Sequence, residues 1–384
     1  MYKRQDDNPR NENPNKIRKE IIKKINSKNC FNIGNRGLAI KKAITNSEQN
    51  EVILVAGKGH EDKQIYKNKI FHISDKKIIK NVKFKFKALN KKKQNYLQNK
   101  LLLKKIKGNI DIDNFAGLAA DSRLIKKDNL FLTIKGKNNE GYKFIPEAIK
   151  KGAKYVVSSK ILKKYKKKTI KVKNEISFLN QFAKLKREYS LATIIAVTGS
   201  AGKTSLKNLI KNLLKNFNNT YSSPKSFNNH YGVPISLSNL RFEDRYGVFE
   251  VGMSKAGEIR NLSKLIKPHI GIITNIGEAH IENFKNIKGI AAAKAEIIES
   301  IKENGTLLIN RDDKFYDYLN KKAKLKKLKV VSFGKSRKSD IFPLKIVKGK
   351  SFTKLFLQVI NEKIYLEIKN INIHNVLASL AVIK

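Results

Sequence analysis

Cysteine is nearly absent from this 384-residue sequence: Cys30 stands alone. That excludes a disulfide scaffold and any cysteine-based zinc site. Long apolar runs are missing as well, none approaching the roughly 18 residues of a membrane-spanning helix. The start, Met1 to Pro14, is polar and partly acidic and does not read as a secretory leader. The expectation is a cytoplasmic protein with no membrane partner. Acidic residues are scarce, 32 Asp and Glu against 82 Lys and Arg, for a formal net charge of +50. Arginine is scarce too, with only 11 among those cations. Nucleic-acid recognition favours the planar arginine fork, and here the lysines run along the whole chain among Asn and Ile. No specific nucleic acid is therefore expected, although such a field draws in small anions such as nucleotides. What is present, 40% apolar and 8% aromatic residues, suffices for two or three folded domains.

Read in order, Ile17, Ile21, Ile22 and Ile25 mark a helix, and residues 51–56 a strand that runs into Gly57-Lys-Gly-His-Glu61. Residues 81–107 are rich in Lys, Asn and Gln around a Leu101–Leu103 patch and read as a linker or a polar helix. From Gly108 a compact α/β unit begins. It has strand 130–134, a helix over 144–151 stopped by Gly152, strand 155–157 and a connecting helix over 178–188. From Ala192 the alternation is clearest: strand 193–197, a glycine loop, and a helix with Leu206, Leu209, Ile210, Leu213, Leu214 and Phe217 on its apolar face. Strands at 246–251, 270–274 and 306–310 then alternate with helices at 258–266 and 287–301. This predicts an α/β fold, a doubly wound and mostly parallel sheet. Hairpins are expected over 341–368 and a helix from His374.

The strongest chemical signal lies between that strand and that helix, Thr198-Gly199-Ser200-Ala201-Gly202-Lys203-Thr204-Ser205. Glycines let the backbone curl so that N–H groups and the helix start face a polyphosphate. Lys203 would neutralise the β/γ-phosphates and the Thr204 hydroxyl would ligate Mg²⁺. Val197 stands where the longer phosphate-loop pattern has its first glycine, so the match is to a shorter variant. Glu250 ends a strand, where a carboxylate can reach a metal held by the loop, and a plain strand-end charge is the competing reading. His280 follows the next strand, at the edge where such sheets bind ligands. Lys294 lies mid-helix and, taken alone, reads as solvent-facing.

These residues resemble the Mur ligases, ATP-dependent amide-bond-forming enzymes of peptidoglycan synthesis, over about Gly108 to Lys384. The likeness is carried by Asp121-Ser-Arg123, Gly199–Ser205, Phe227-Asn-Asn-His-Tyr-Gly-Val-Pro234, Glu250-Val-Gly-Met253, Thr274–His280, Ala293-Lys-Ala-Glu296 and His374-Asn375. The resemblance implies a ligase joining D-alanyl-D-alanine to UDP-N-acetylmuramoyl-tripeptide through an acyl phosphate, with ATP and Mg²⁺ as cofactors. It implies that Gly199, Ser200, Ala201, Gly202, Lys203, Thr204, Ser205 and Asn375 bind ATP. Thr204 and Glu250 would hold one Mg²⁺ and His280 a second, with Lys294 as a metal-binding carbamate. Lys203, Lys294 and His280 would carry catalysis. Asp121, Ser122 and Arg123 would receive the UDP end, and Asn228 and Asn229 the muramoyl-peptide, although an asparagine pair by itself reads as a turn.

The first 80 residues resemble another member of the same family, the C-terminal domain of the branch that adds a diamino acid. Asp6-Asp-Asn-Pro-Arg10 and Val52–Glu61 carry that likeness, which implies that Asn8, Arg10, Gly57 and Glu61 contact the diamino acid. The expected organisation is thus a remnant over 1–80, a linker over 81–107, a UDP-substrate domain over 108–190 and an ATP-binding domain over 191–384. The domain that closes over ATP in the family is expected to be missing, and Ala378 replaces the second Asn of an H-N-x-x-N pattern. Such a chain alone is expected to bind nucleotide weakly and turn over little. Another P-loop kinase or ATPase, and an inactive fusion fragment, are the competing readings.

Overall fold

The computed structural model describes residues 2–3, 13–23, 31–46, 53–55, 63–66, 69–72, 74–81, 91–108, 110–136, 140–369 and 372–384. The chain divides into two units, Met1–Lys91 and Lys92–Lys384. In the first, helices Pro14–Lys23, Arg36–Asn46 and Asp75–Asn81 accompany an antiparallel hairpin, Lys63–Tyr66 with Lys69–His72. Ile40 and Ile44, one helical turn apart, are buried against Val55 and Ile78. The Arg36 guanidinium grips Asp75, Nε to Oδ1 at 2.7 Å. The strand expected over 51–56 is not formed at its described residues, 53–55, where Val55 packs on the helices instead.

Near the start of the second unit stands α1 (Lys91–Lys107), the polar helix of the two readings of 81–107. Leu102 and Leu103 are buried in one core with Phe115, Leu130 and Phe182. The Asn99 amide donates to the carbonyls of Phe115 and Ala116 at 3.2 and 2.9 Å. A buried apolar pair, beside an amide that donates to two backbone carbonyls, makes this helix part of the domain it precedes. The domain is a four-stranded parallel sheet in sequence order: β1 (Leu118–Ala119), β2 (Leu130–Leu132), β3 (Tyr155–Ser158) and β4 (Thr169–Lys171). Helix α2 (Ile145–Lys150) and α3 (Glu175–Glu188) accompany it.

The larger sheet is built from β5 (Thr193–Thr198), β6 (Thr220–Ser222), β7 (Tyr246–Glu250), β8 (Ile270–Ile273), β9 (Thr306–Asn310) and β10 (Lys329–Phe333), all parallel in the order β6-β7-β5-β8-β9-β10. An antiparallel meander, β11 (Ile341–Lys348), β12 (Thr353–Val359) and β13 (Glu362–Ile368), extends the same sheet. One core packs α4 (Lys203–Leu214) and α9 (Ile373–Ile383) on one face of the sheet. Another packs α5 (Gly232–Ser238), α6 (Glu258–Ile266), α7 (Ile287–Ser300) and α8 (Tyr316–Leu325). This is the doubly wound arrangement that the alternation predicts. Phe217, expected on the apolar face of α4, lies past the helix end and is exposed.

The two sheets are strapped together. The Asn239 side chain accepts from Leu118 N–H at 3.0 Å and donates to its carbonyl at 2.8 Å, completing the edge of β1. A Cβ at Gly117 would stand 2.2 Å from the Asn239 amide oxygen, so that approach requires glycine. Arg187 donates to the carbonyls of Ile266 and Lys267 at the end of α6. Among the described residues no helix is long and apolar enough to cross a membrane.

Candidate functional site

Register brings the ends of three parallel strands side by side. Val197 pairs with Glu250 on one neighbour and with Ile272 on the other, so Gly199, Glu250 and Thr274 emerge at one edge. Gly199 (φ +147°) and Gly202 (φ +80°) take conformations that side chains resist, and a Cβ at Gly199 would sit 1.9 Å from the Thr274 hydroxyl. The turn between them is held from outside. The Asn275 carboxamide oxygen accepts from Ala201 N–H at 2.9 Å, and Thr274 Oγ1 donates to the Ala201 carbonyl at 2.6 Å. The Ser200 hydroxyl donates to Gly277 O at 2.9 Å and accepts from Gly277 N–H at 2.8 Å. These side chains use up the outer polar groups of the loop and fix its shape before any ligand arrives.

The charges around this turn do not balance. Lys203 folds back over it, its ammonium donating to the carbonyls of Gly199 (2.8 Å) and Ser200 (3.3 Å); burial lowers its pKa, opposed by the charge of Glu250. Thr204 Oγ1 donates to Glu250 Oε2 at 2.7 Å, and the Asn228 amide donates to the other oxygen at 2.7 Å. Glu250 is only 1% exposed. Behind it, the buried Lys207 ammonium lies 3.9 Å from Oε2 and donates to the Lys225 carbonyl. Lys294, far from solvent-facing, is 3% exposed and makes no hydrogen bond or ion pair among the described residues. Burial first, and the charge of Lys203 second, bring its amine down to about 7. Two buried lysines, Lys207 and Lys294, and the half-buried Lys203 thus accompany one buried carboxylate.

The structure sorts the other expected residues. Ser205 continues the first turn of α4. Asn375, buried at the start of α9, lies against Gly202, its Oδ1 3.2 Å from where a Cβ would stand. The His280 ring is 48% exposed, pairs at 3.8 Å with Glu282 and joins neither Glu250 nor Lys294 by any hydrogen bond or ion pair. Its left-handed backbone (φ +64°) instead starts the short turn Ile281–Asn283. The Asn229 oxygen accepts from Gly232 N–H at 2.9 Å and closes the turn into α5. Asp121 caps its own turn by accepting from Arg123 N–H and pairs with the Arg123 guanidinium at 2.8 Å. That guanidinium's hydrogen bond holds the Asp121 carboxyl below its usual range. Ser122 donates to Glu147 at 2.7 Å. Asn8, Arg10, Gly57 and Glu61 lie outside the described residues.

Sequence reasoning missed Asn275, Thr274 and Lys207. The first two were visible in the Thr274–His280 motif, whose weight fell on its histidine. Lys207 gave no signal beyond standing one turn after Lys203.

Comparison with known proteins fits this geometry. The Mur ligase middle domain matches residues 197–383, and the Mur ligase family catalytic domain matches residues 114–187. UDP-N-acetylmuramoyl-tripeptide–D-alanyl-D-alanine ligase of Buchnera aphidicola subsp. Baizongia pistaciae is 32% identical over 267 residues, 69% of this chain and 57% of that protein. The crystal structure of MurF from Acinetobacter baumannii superposes with a TM-score of 0.64 at 27% identity, covering 73% of this chain and 63% of that one. MurF ligase from Thermotoga maritima in complex with ADP does so at 0.60 and 26%, covering 70% and 62%. The chain therefore spans about three fifths of the length of these relatives. Two Mur ligase domains matched in order over residues 114–187 and 197–383, together about two thirds of the chain, show that this chain belongs to the Mur ligase family.

Proposed function

We propose that the chain is an ATP-dependent amide-bond ligase of the acid–D-amino-acid type, joining D-alanyl-D-alanine to UDP-N-acetylmuramoyl-tripeptide in peptidoglycan precursor synthesis. The observation that carries this reading is the gathering of three lysines, two of them buried, with one buried carboxylate around a preshaped glycine turn. A polyphosphate and a carboxylate repel one another as they approach, and buried cations offset that repulsion far better than exposed ones. The turn Gly199–Ser205 would cradle the triphosphate, with Lys203 swinging from the loop carbonyls onto the β/γ-phosphates. Asn375, against Gly202, would face the nucleotide. Asp121, Ser122 and Arg123 would receive the UDP end, and Asn228 would face the peptide while orienting Glu250.

The oxygens of Thr204 and Glu250, 2.7 Å apart, fit Mg²⁺, which takes one or two protein oxygens and completes its shell with phosphate and water. Such an ion would supply charge neutralisation at the transferring phosphoryl group. Among the described residues no three His, Cys, Asp or Glu side chains form a metal-holding group, and His280 makes no hydrogen bond or ion pair with Thr204 or Glu250. Lys294 suits the carbamate role, because a neutral amine is the form that adds carbon dioxide, and burial disfavours its cation. No covalent protein nucleophile is needed: phosphoryl transfer to the peptide carboxylate gives an acyl phosphate, and the dipeptide amine attacks it.

Product analysis tests the reading. The chain incubated with ATP, Mg²⁺, UDP-N-acetylmuramoyl-tripeptide and D-alanyl-D-alanine should release phosphate slowly, and only with both substrates, as an amide product accumulates. A phosphomonoester product, or hydrolysis indifferent to both substrates, would assign a kinase or a plain ATPase.

A further inference from the structure

Lys207 has no assigned part in this site, yet its surroundings are those of a built contact. It lies on α4 at one turn from Lys203 and Thr204, so the three share a helix face. Its ammonium is buried, donates to the Lys225 carbonyl at 2.5 Å and faces Glu250 Oε2 at 3.9 Å. Lys225 is an exposed residue held at φ +43°, a left-handed conformation that a lysine adopts only under constraint. It belongs to the segment Ser223–Asn229, which meets Glu250 twice more: Ser223 Oγ accepts from Glu250 N–H at 3.2 Å, and the Asn228 amide donates to Glu250 Oε1. The segment is thus fastened at both ends to a strand end and in its middle to α4.

We propose that Lys207 is a positioning residue that ties the 223–229 segment to the helix following the glycine turn, so that occupation of the turn and order in the Asn228 loop are coupled. The coupling to nucleotide rests on the function proposed above; the tether itself does not. A buried ammonium costs less here than elsewhere, because a carbonyl and a carboxylate satisfy it together. Removing it frees a strained carbonyl and leaves Ser223 and Asn228 as the segment's side-chain links to Glu250.

Hydrogen exchange on the full chain, read by peptide mass spectrometry, tests this. Lys207→Met should raise exchange at 226–229 about tenfold, the weight of one charge-assisted hydrogen bond, while β5, β7 and β8 keep wild-type protection. Lys207→Arg, which retains a cationic donor, should restore most of that protection. ATP with Mg²⁺ should add protection at 226–229 in the wild type and not in Lys207→Met. If Lys207→Met does not fold, Lys225→Pro, which cannot hold φ +43° and sits in an exposed turn, should release the same residues. Unchanged exchange at 226–229 in the variants, or a rise spread evenly over the sheet, would overturn the tether. Failure of ATP with Mg²⁺ to bind the wild-type chain would overturn the nucleotide coupling and the proposed function, and ligand-free exchange alone would then decide the tether.

Discussion

Two turns in this protein follow parallel strands and carry polar motifs, and their charges are handled in opposite ways. At Asp121-Ser-Arg123 every charge has its partner within the turn or beside it: Asp121 with Arg123, Ser122 with Glu147, Glu147 with Lys151. The Arg123 side chain is 80% exposed, and the arrangement is complete without a ligand. At Gly199–Ser205 two buried lysines and the half-buried Lys203 accompany one buried carboxylate, and Lys294 has no hydrogen-bond or ion-pair partner among the described residues. An unpaired amine at that depth resists protonation, and burial brings its pKa down to about 7. The difference teaches where a ligand's charge would count most: an anion entering the second turn would meet amines whose burial disfavours their charge, while at the first it would only exchange partners.

Substitutions in the glycine turn should open the widest gap between the two. Gly199→Ala would place a methyl group 1.9 Å from Thr274 Oγ1, and Lys203→Ala removes the cation proposed to reach the phosphates. Each should lower ATP-dependent turnover by about 10²–10³-fold without unfolding the chain, as circular dichroism would verify. Asn275→Ala leaves Ala201 N–H without its acceptor and should weaken nucleotide binding by roughly tenfold in a titration. Lys186 sharpens the comparison from outside the site. It is buried, donates to Asn95 at 3.2 Å, and burial lowers its pKa to about 7.

For Lys186 the folded pKa lies below the unfolded value near 10.5, so between those pH values the unfolded chain holds the extra proton and stability rises with pH. Lys186→Met should therefore stabilise most below pH 7, by roughly 1–4 kcal/mol, and lose its advantage as pH approaches 10.5. Chemical denaturation at several pH values checks this, and ATP should not alter the result. Smallest of all, Arg123→Ala should leave the melting temperature unchanged and weaken only binding of the UDP-linked substrate.

Much of the fold was legible because the signals were periodic. The strand–helix alternation from Ala192 onward and the apolar face of α4 place the doubly wound sheet, and the glycine turn falls where a strand meets a helix. α1 was not legible as a domain element, since its lysines and asparagines look solvated until Asn95 and Asn99 find the carbonyls of Phe115 and Ala116. Within the site, Thr204, Glu250 and Lys203 could be named from position alone. The burial of Lys294 could not, because a lysine in a helix reads as exposed until its neighbours fold around it. His280 shows the reverse: strand-end placement put it in the right segment, while a left-handed backbone turns its ring toward Glu282. Asn275, in the same motif, shapes the loop through its carboxamide, a role the sequence did not suggest.

Equilibrium titration of ATP with Mg²⁺ into the full chain and into Lys203→Ala probes the unbalanced charge most directly. Saturable binding by the wild type, at least tenfold weaker in the variant and accompanied by a rise in wild-type melting temperature, is the predicted result. Equal affinity in the two proteins, or no binding by either, would contradict the assignment of this turn as the phosphate cradle.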